Sequence, residues 1–251
     1  MNAGSWRQDG PLPLRDVPLI LMYHGVADVA EDPNYLCVTP GRFAEQMTWL
    51  ERRGLRGVSI GTLVDEMRAG RRRGLVGITF DDGYVNVLEA ALPELQRHGF
   101  TATMFIISAR LGGSNDWDEG PSWPLMSGDQ VGQLAAAGME IGSHSTTHVR
   151  LAGLDVGQLE AQIRDSRASL AELTGAPIRG FAYPYGSMDA AARSAVRDAG
   201  YDYACAVQTP MSALGMMALP RVYIGQSDDA RRMSAKRLLF KGYVAVKGRR
   251  P

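Results

Sequence analysis

The chain has few of the residues that stabilise small disulfide-rich or cysteine-zinc folds. It has two cysteines, Cys37 and Cys205, among 251 residues, which excludes a disulfide framework and a cysteine-based zinc site. We therefore expect two reduced, buried thiols. No apolar run reaches the roughly 20 residues that a membrane-spanning helix needs, so we expect no transmembrane segment. With 45% hydrophobic and 22% charged residues, the composition also excludes an intrinsically disordered chain.

The chain also lacks a net charge, because 27 basic residues balance 27 acidic ones, but the balance is uneven along the sequence. Residues 230–251 contain eight basic residues and no acidic one, which leaves 19 basic against 27 acidic residues before them. This acidic body disfavours nucleic-acid binding. The basic tail predicts either a solvated terminal helix or a peripheral contact with an anionic membrane or phosphate-bearing partner. Residues 1–16 lack the apolar core of a secretory signal, so we expect a cytoplasmic protein.

Short apolar runs alternate with amphipathic segments, several of which follow a capping residue and end at glycine. Predicted strands lie at residues 17–23, 57–60, 75–80, 101–107, 139–142, 180–183, 201–207 and 219–224. Predicted helices lie at residues 40–53, 62–69, 85–98, 128–137, 156–173, 189–199 and 230–240. This alternation predicts an α/β fold with a parallel sheet, either open and doubly wound or closed into a barrel. We predict a single domain over residues 17–229, between an N-terminal arm (1–16) and the basic tail (230–251).

Polar residues that are hard to explain structurally follow four of the predicted strands. They are His24, the pair Asp81 and Asp82, the pair His144 and His148, and the run Pro184, Tyr185 and Gly186. Because the carboxyl ends of parallel strands face one way, we expect these four loops to converge on one pocket. The long loop at residues 108–126 carries Trp117 and Trp123, which either line a ligand cleft or anchor the loop.

The histidine pair and the aspartate pair together predict a metal site. Imidazoles four residues apart, as in His144 and His148, lie on the same face of a helical turn and can bind one ion. The three hydroxyl residues between them could hydrogen-bond the rings. Adjacent carboxylates at Asp81 and Asp82 repel each other unless a positive charge lies beside them, although the pair alone also fits a solvated turn. One carboxylate and two imidazoles suit catalytic zinc or non-haem iron, which leaves the second aspartate free to take a proton from water.

These residues resemble three motifs of the polysaccharide deacetylase family, also called the NodB homology domain or carbohydrate esterase family 4. The motifs are TFDDG at residues 79–83, HSTTH at 144–148 and YPYG at 183–186, and the likeness extends from about residue 19 to 224. The resemblance implies a distorted (β/α) barrel of about seven strands that removes N-acetyl groups from amino sugars. It also implies that Asp81 is the general base, that Asp82, His144 and His148 bind a divalent metal, usually zinc, and that the backbone N–H of Tyr185 helps to hold the oxyanion.

The chain departs from the family pattern in two places. The third motif lacks the arginine that commonly partners the base, and Arg221 is the candidate replacement. No histidine follows His148, where family members commonly carry the general acid. However, MYHGV at residues 22–26 resembles a signature of the poly-N-acetylglucosamine deacetylase-like subgroup, which implies His24 as the acid; otherwise His24 is a packed core histidine. The candidate substrate-binding residues are Tyr183, Pro184, Trp117, Trp123 and Arg221.

The sequence therefore predicts a metal-dependent N-deacetylase that hydrolyses the acetamide of an N-acetylated amino sugar and releases acetate. The expected substrate is a glycan precursor, a lipid- or nucleotide-linked sugar or an oligosaccharide. Three alternatives stay open. They are a non-haem iron oxygenase, a sugar-binding protein on a degenerate catalytic scaffold, and a hydrolase of another amide or a cyclic imide on the same barrel. The sequence does not predict which amino sugar is used or the oligomeric state.

Overall fold

The computed structural model describes residues 12–207 and 209–247, in which strands and helices alternate. The strands are β1 (Ile20–Tyr23), β2 (Gly25–Val26), β3 (Cys37–Val38), β4 (Arg56–Val58), β5 (Leu75–Phe80), β6 (Thr103–Ile106), β7 (Glu140–Ser143), β8 (Gly180–Ala182), β9 (Tyr203–Ala206), β10 (Leu219–Pro220) and β11 (Val222–Tyr223). The helices are α1 (Pro40–Arg52), α2 (Ile60–Arg68), α3 (Leu92–Arg97), α4 (Gly128–Ala136), α5 (Val156–Thr174), α6 (Ala190–Asp198) and α7 (Ala230–Lys247).

The main sheet is parallel and nearly closes into a barrel. Its strand order is β10-β9-β8-β7-β6-β5-β1-β11, with β4 beside β5. At one edge β10 pairs with β9, and at the other edge β11 pairs with β1. Only Arg221 separates β10 from β11 in the chain, so the two edges of the sheet meet at this residue. The structure therefore confirms the predicted (β/α) barrel rather than the open sheet.

Buried strands form the barrel, and capped helices surround it. Every residue of β1, β6 and β9 is buried, as expected for parallel strands covered on both faces. The predicted N-caps are confirmed: the side chains of Thr39, Ser127 and Asp155 accept backbone N–H bonds at the starts of α1, α4 and α5. These caps fix where each helix leaves the sheet. Both cysteines are buried and free, as expected.

Two predicted strands differ from the observed ones because of single residues. The strand predicted at residues 57–60 ends at Val58, since Ser59 caps the next helix by accepting the N–H of Thr62. Helix α2 therefore begins at Ile60. The strand predicted at residues 219–224 is two strands, because the chain passes from one edge of the sheet to the other at Arg221.

The helix predicted at residues 85–98 is not a continuous α-helix. Its first part, Val87–Ala91, is a π-helical segment that leads into α3. Pro93 lies in the first turn of α3, and proline has no N–H to donate to the residue four positions earlier. In a regular α-helix the proline ring would also clash with the carbonyl of that earlier residue. The wider π turn avoids this clash.

The described ends of the chain pack onto the barrel. Leu12 is buried and its N–H bonds the carbonyl of Leu214, whereas residues 1–11 of the predicted arm lie outside the described residues. Helix α7 continues to Lys247, beyond the predicted end at residue 240, with Met233 and Phe240 buried against the body. Residues 248–251 of the predicted tail also lie outside the described part. In the described ranges, no helix is both long enough and apolar enough to cross a membrane.

Candidate metal centre and active site

Asp82, His144 and His148 meet at the carboxyl end of the barrel. Each offers one ligand atom, and these atoms all lie within 4.8 Å of one another. The Nε2 atoms of both imidazoles lie 3.4 Å from Oδ1 of Asp82. All three side chains are buried, and over residues 12–207 and 209–247 they form the one group of this kind. The structure thus brings together the three residues that the sequence analysis grouped as metal ligands.

The hydrogen bonds around this group leave its ligand atoms available. Nδ1 of His144 lies 2.8 Å from the carbonyl of Ala182; if Nδ1 donates there, Nε2 keeps its lone pair facing Asp82. Oδ1 of Asp82 is buried and has no hydrogen-bond partner in the described part of the chain. A buried carboxylate oxygen without a partner is costly, and a cation removes that cost. Two imidazole nitrogens and one carboxylate oxygen are also a common catalytic zinc donor set, so these residues fit a divalent metal.

The two histidines do not lie on a helical turn, so the structural basis assumed for their spacing was wrong. They flank a loop after β7 in which Ser145 and His148 have left-handed φ values of 66° and 65°. The hydroxyl of Ser145 accepts the backbone N–H of His148 at 3.0 Å. The hydroxyls of Thr146 and Thr147 bond to helix α5. These hydroxyl groups therefore hold the loop backbone and do not bond the imidazole rings.

Backbone strain is concentrated at this site. Among the described residues, five non-glycine residues have positive φ, and four of them are Asp82, Ser145, His148 and Tyr185. Each such conformation costs on the order of 1–3 kcal/mol and persists only where the surroundings enforce it. The concentration of strained residues at this place supports the interpretation that it is a functional site.

Asp81 is held by a buried arginine. The Arg221 guanidinium donates to both carboxylate oxygens of Asp81, at 2.6 and 2.7 Å, and to the hydroxyl of Thr79 at 3.1 Å. Burial by itself raises the pKa of Asp81, but Arg221, together with His144, holds the pKa below its usual value. The pair keeps Asp81 ionised and oriented beside the group of Asp82, His144 and His148. Arg221 is 1% exposed, and its guanidinium contacts Asp81 and Thr79 in this structure.

The pKa values of Asp82 and His148 are lowered, whereas the pKa of His144 is raised. Burial is the largest influence on Asp82 and raises its pKa, but His144, His24 and His148 together hold it far below the usual range. Burial lowers the pKa of His148 to about 4, so this imidazole is neutral at pH 7, as metal binding requires. Burial also lowers the pKa of His144, but Asp81 and Asp82 raise it more, so a metal ion would replace a proton there.

A cavity of about 100 Å³ borders Asp81 and the group of Asp82, His144 and His148. Besides the metal-ligand group and Asp81, its walls include His24, Tyr183 and Tyr185 from the strand ends and Trp117 from the long loop. Nδ1 of His24 is buried without a hydrogen-bond partner among the described residues. The four predicted loops therefore converge on one pocket.

The long loop is tied to the third motif. The Trp117 and Tyr185 rings each lie 4.6 Å from the His148 ring, between centroids. The hydroxyl of Tyr185 donates to Oδ1 of Asp118 at 3.1 Å. These contacts make Trp117 part of the pocket wall, as one of the two sequence interpretations expects.

Three predicted substrate-binding residues, Trp123, Pro184 and Arg221, do not line this cavity. The Trp123 ring packs edge-on against Tyr84, with centroids 5.5 Å apart, so Trp123 anchors the loop. Pro184 is buried at the start of the short 3-10 turn that carries Tyr185. The sequence analysis missed Asp118, although it adjoins Trp117, and Arg150, although it lies two residues beyond the histidine motif.

Comparison with known proteins identifies the class to which this barrel and its site belong. The family model described as polysaccharide deacetylase matches residues 68–204, which is more than half of the 251-residue chain. The chain therefore belongs to the polysaccharide deacetylase family, and the family resemblance of its sequence motifs is confirmed.

Individual relatives agree with this assignment. "Putative polysaccharide deacetylase YxkH" of Bacillus subtilis (strain 168) is 27% identical over 219 residues, 84% of this chain and 73% of that protein. The poly-β-1,6-N-acetyl-D-glucosamine N-deacetylase of Escherichia coli (strain K12) is 33% identical over 78 residues, 30% of this chain and 12% of that protein.

Solved structures share the fold. The Streptococcus pyogenes deacetylase PplD, in complex with acetate, has a TM-score of 0.77 at 18% identity and covers 90% of this chain and 98% of its own. IcaB from Ammonifex degensii has a TM-score of 0.71 at 24% identity, with 88% and 96% covered. At these identities the likeness shows a common fold.

Proposed function

We propose that the chain is a metal-dependent N-deacetylase that hydrolyses the acetamide of an N-acetylated amino sugar and releases acetate. One observation carries the proposal: Asp81, held by Arg221, borders the same cavity as the group of Asp82, His144 and His148. Membership of the polysaccharide deacetylase family supports the class of reaction.

In the proposed reaction, each polar group at the cavity has one task. Asp82, His144 and His148 would hold a divalent cation, for which zinc best fits the donor set. Such a cation lowers the pKa of water and polarises the acetamide carbonyl. Asp81 accepts the proton of the attacking water at its carboxylate, which Arg221 keeps ionised and oriented.

The remaining groups serve the leaving amine and the oxyanion. As the carbon–nitrogen bond breaks, His24 donates a proton to the departing amine. The backbone N–H of Tyr185 stabilises the negative charge that develops on the acetamide oxygen. The cavity of about 100 Å³ is small for a whole ligand, so the sugar ring lies outside it, against Trp117 and Tyr185.

The alternatives differ in how well they fit this site. The parallel barrel disfavours a non-haem iron oxygenase, because such sites are expected in antiparallel barrels. The ion pair between Arg221 and Asp81 offers a partner for the base, which weakens the argument for a degenerate sugar-binding scaffold. The cytoplasmic location and a contact of residues 230–251 with an anionic membrane stay predictions.

The proposal is tested by acetate release from a panel of N-acetylhexosamine conjugates, with and without a chelator, alongside metal analysis. We expect chelation to abolish release and added zinc to restore it. Asp81→Asn is expected to keep bound metal and lower kcat by about 10²- to 10⁴-fold, because the base is lost. Asp165→Asn, on the exposed face of α5, is the matched control. Wild-type turnover in Asp81→Asn would refute the assignment.

The role of His24 has a separate test. His24→Gln is expected to lower turnover of the sugar acetamide, because the departing amine needs a proton. Hydrolysis of an aryl acetate should fall much less, since a phenolate leaves without protonation. An equal loss on both substrates would assign His24 to the structure of the pocket.

A further inference from the structure

A second cavity, of about 450 Å³, borders the small one. The two share Trp117, Asp118, His148 and Tyr185 as walls. The remaining walls of the larger cavity are Arg110, Thr147, Val149 and Arg150. Because the small cavity is too small for a sugar ring with its substituents, this outer cavity offers room for the groups next to the acetamide.

Arg150 is the unusual residue in the outer cavity. Its guanidinium carbon lies 4.2 Å from the centroid of the Tyr185 ring. It forms no ion pair with a carboxylate in the described part of the chain, whereas Arg110 is paired with Asp116 at 2.8 Å. The Tyr185 ring also packs on His148, so this exposed cation lies one aromatic ring away from a metal ligand.

The charges around Arg150 favour an anion. The outer cavity is lined by two arginines and one carboxylate, Asp118, whose Oδ1 already accepts the hydroxyl of Tyr185. The contact with the Tyr185 ring limits the freedom of the guanidinium, which reduces the entropy lost when it binds a ligand.

We propose that Arg150 determines specificity by binding an anionic group, a phosphate or a carboxylate, that the substrate carries next to its acetylated sugar. The inference rests on the proposed function and narrows its substrate class to acidic sugar conjugates. A guanidinium binds either group through two parallel N–H bonds, which a neutral sugar hydroxyl cannot match. Removing such a charged hydrogen bond costs about tenfold to a hundredfold in affinity.

The test compares three substrates that differ in charge beside the same sugar. They are N-acetylglucosamine 1-phosphate, N-acetylglucosamine linked to glucuronate, and the neutral methyl glycoside of N-acetylglucosamine. Arg150→Gln is expected to raise KM for the anionic substrates by about tenfold or more and to leave kcat and the neutral substrate unchanged. Arg150→Lys should recover part of the loss, and added salt should weaken the wild-type preference. Arg164→Gln, an exposed arginine paired with Glu160 on α5, is the matched control.

A binding measurement separates this inference from the proposed function. Glucosamine 1-phosphate and methyl glucosaminide carry no acetyl group, so calorimetry reports their binding without turnover. Weaker binding of the phosphate alone in Arg150→Gln supports the inference, even if no substrate releases acetate. If Arg150→Gln leaves the binding of glucosamine 1-phosphate and the KM of both anionic substrates unchanged, or weakens the neutral ligands equally, the inference is overturned. Deacetylation of the neutral substrate then still supports the proposed function. An effect on phosphate or on glucuronate alone identifies which anion is recognised.

Discussion

The two ends of the barrel each hold a carboxylate inside the fold, but the surrounding groups differ. At the amino end, Oε2 of Glu140 accepts the Gly61 N–H at 2.7 Å and the Thr103 hydroxyl at 2.6 Å, while its Oε1 has no partner among the described residues. At the carboxyl end, Oδ1 of Asp82 has no hydrogen-bond donor among the described residues and faces two imidazole nitrogens. Strand β7 links the two ends, since it begins at Glu140 and leads into His144.

The comparison indicates that residues at the amino end stabilise the barrel, whereas residues at the carboxyl end form the candidate active site. Glu140 binds the first turn of α2, where the helix dipole favours a negative charge, and so attaches that helix to the barrel. The approach is close enough that a Cβ at Gly61 would lie 2.5 Å from Oε1 of Glu140, which explains the glycine. At the other end, two imidazole nitrogens lie beside the unpaired oxygen of Asp82, a donor set that suits a cation. Substitutions at the two ends should therefore have separable effects.

The largest effect is expected from His144→Ala at the carboxyl end. Loss of one ligand should remove the metal and lower acetate release by about 1000-fold or more, because several kcal/mol of transition-state stabilisation depend on it. Metal analysis and acetate release measure both effects. His98→Gln is the control, since His98 stacks on Phe100 outside the cavity. Retention of one equivalent of metal in His144→Ala would contradict the assigned ligand set.

Arg221→Met tests how far the catalytic end also contributes to stability. It leaves Asp81 ionised and buried without a partner, so we expect the free energy of unfolding to fall by about 3–5 kcal/mol. In the double variant with Asp81→Asn, much of this loss should be recovered, because the unpaired charge is gone. Urea unfolding of both single variants and the double variant measures the coupling. Strictly additive losses would show that the ion pair is not the cause.

Glu140→Gln should affect only the stability of the amino end. The amide oxygen can accept both bonds but carries no charge, and its NH2 group would replace Oε1, which has no partner among the described residues. We therefore expect a loss of about 1–3 kcal/mol in unfolding free energy. Metal content and acetate release per folded molecule should stay unchanged. Glu160→Gln, exposed on α5, is the matched control. A comparable fall in metal content would show that the two ends are not independent.

The smallest effect is expected from Ser127→Ala at the start of α4, the helix that leads into the amino end of β7. Its side chain accepts the N–H of Gln130 in a capping box, so its loss should cost about 1 kcal/mol. Ser127→Gly should cost only a few tenths of that, because glycine is also a favourable N-cap. Thermal unfolding compares the two variants. Equal losses would indicate that the cap bond itself contributes little.

Much of the fold and site could be predicted because the signals are local. Apolar runs marked the strands, capping residues marked three helix starts, and polar residues at strand ends marked the pocket. The position of Arg221 after Pro220 also allowed it to be named as the candidate partner of the base. The sequence did not predict that this residue joins both edges of the sheet, because that depends on how the barrel closes.

Other features depend on contacts that local patterns do not contain. The two-residue strands β2 and β3 are too short to show a periodicity. The left-handed residues Ser145 and His148 are not glycines, so nothing local indicated a loop in place of a helical turn. Glu140 reaches Gly61 across 79 positions of sequence, and a single glutamate at the start of a strand carries no sign of that partner.

The position of Arg221 links the proposed catalysis to the completion of folding. The guanidinium reaches Asp81 from the one residue that separates β10 from β11. A growing polypeptide that has formed every earlier strand still lacks the counterion of Asp81, the residue proposed as the base. We therefore expect the proposed reaction to begin only after the final strands have docked.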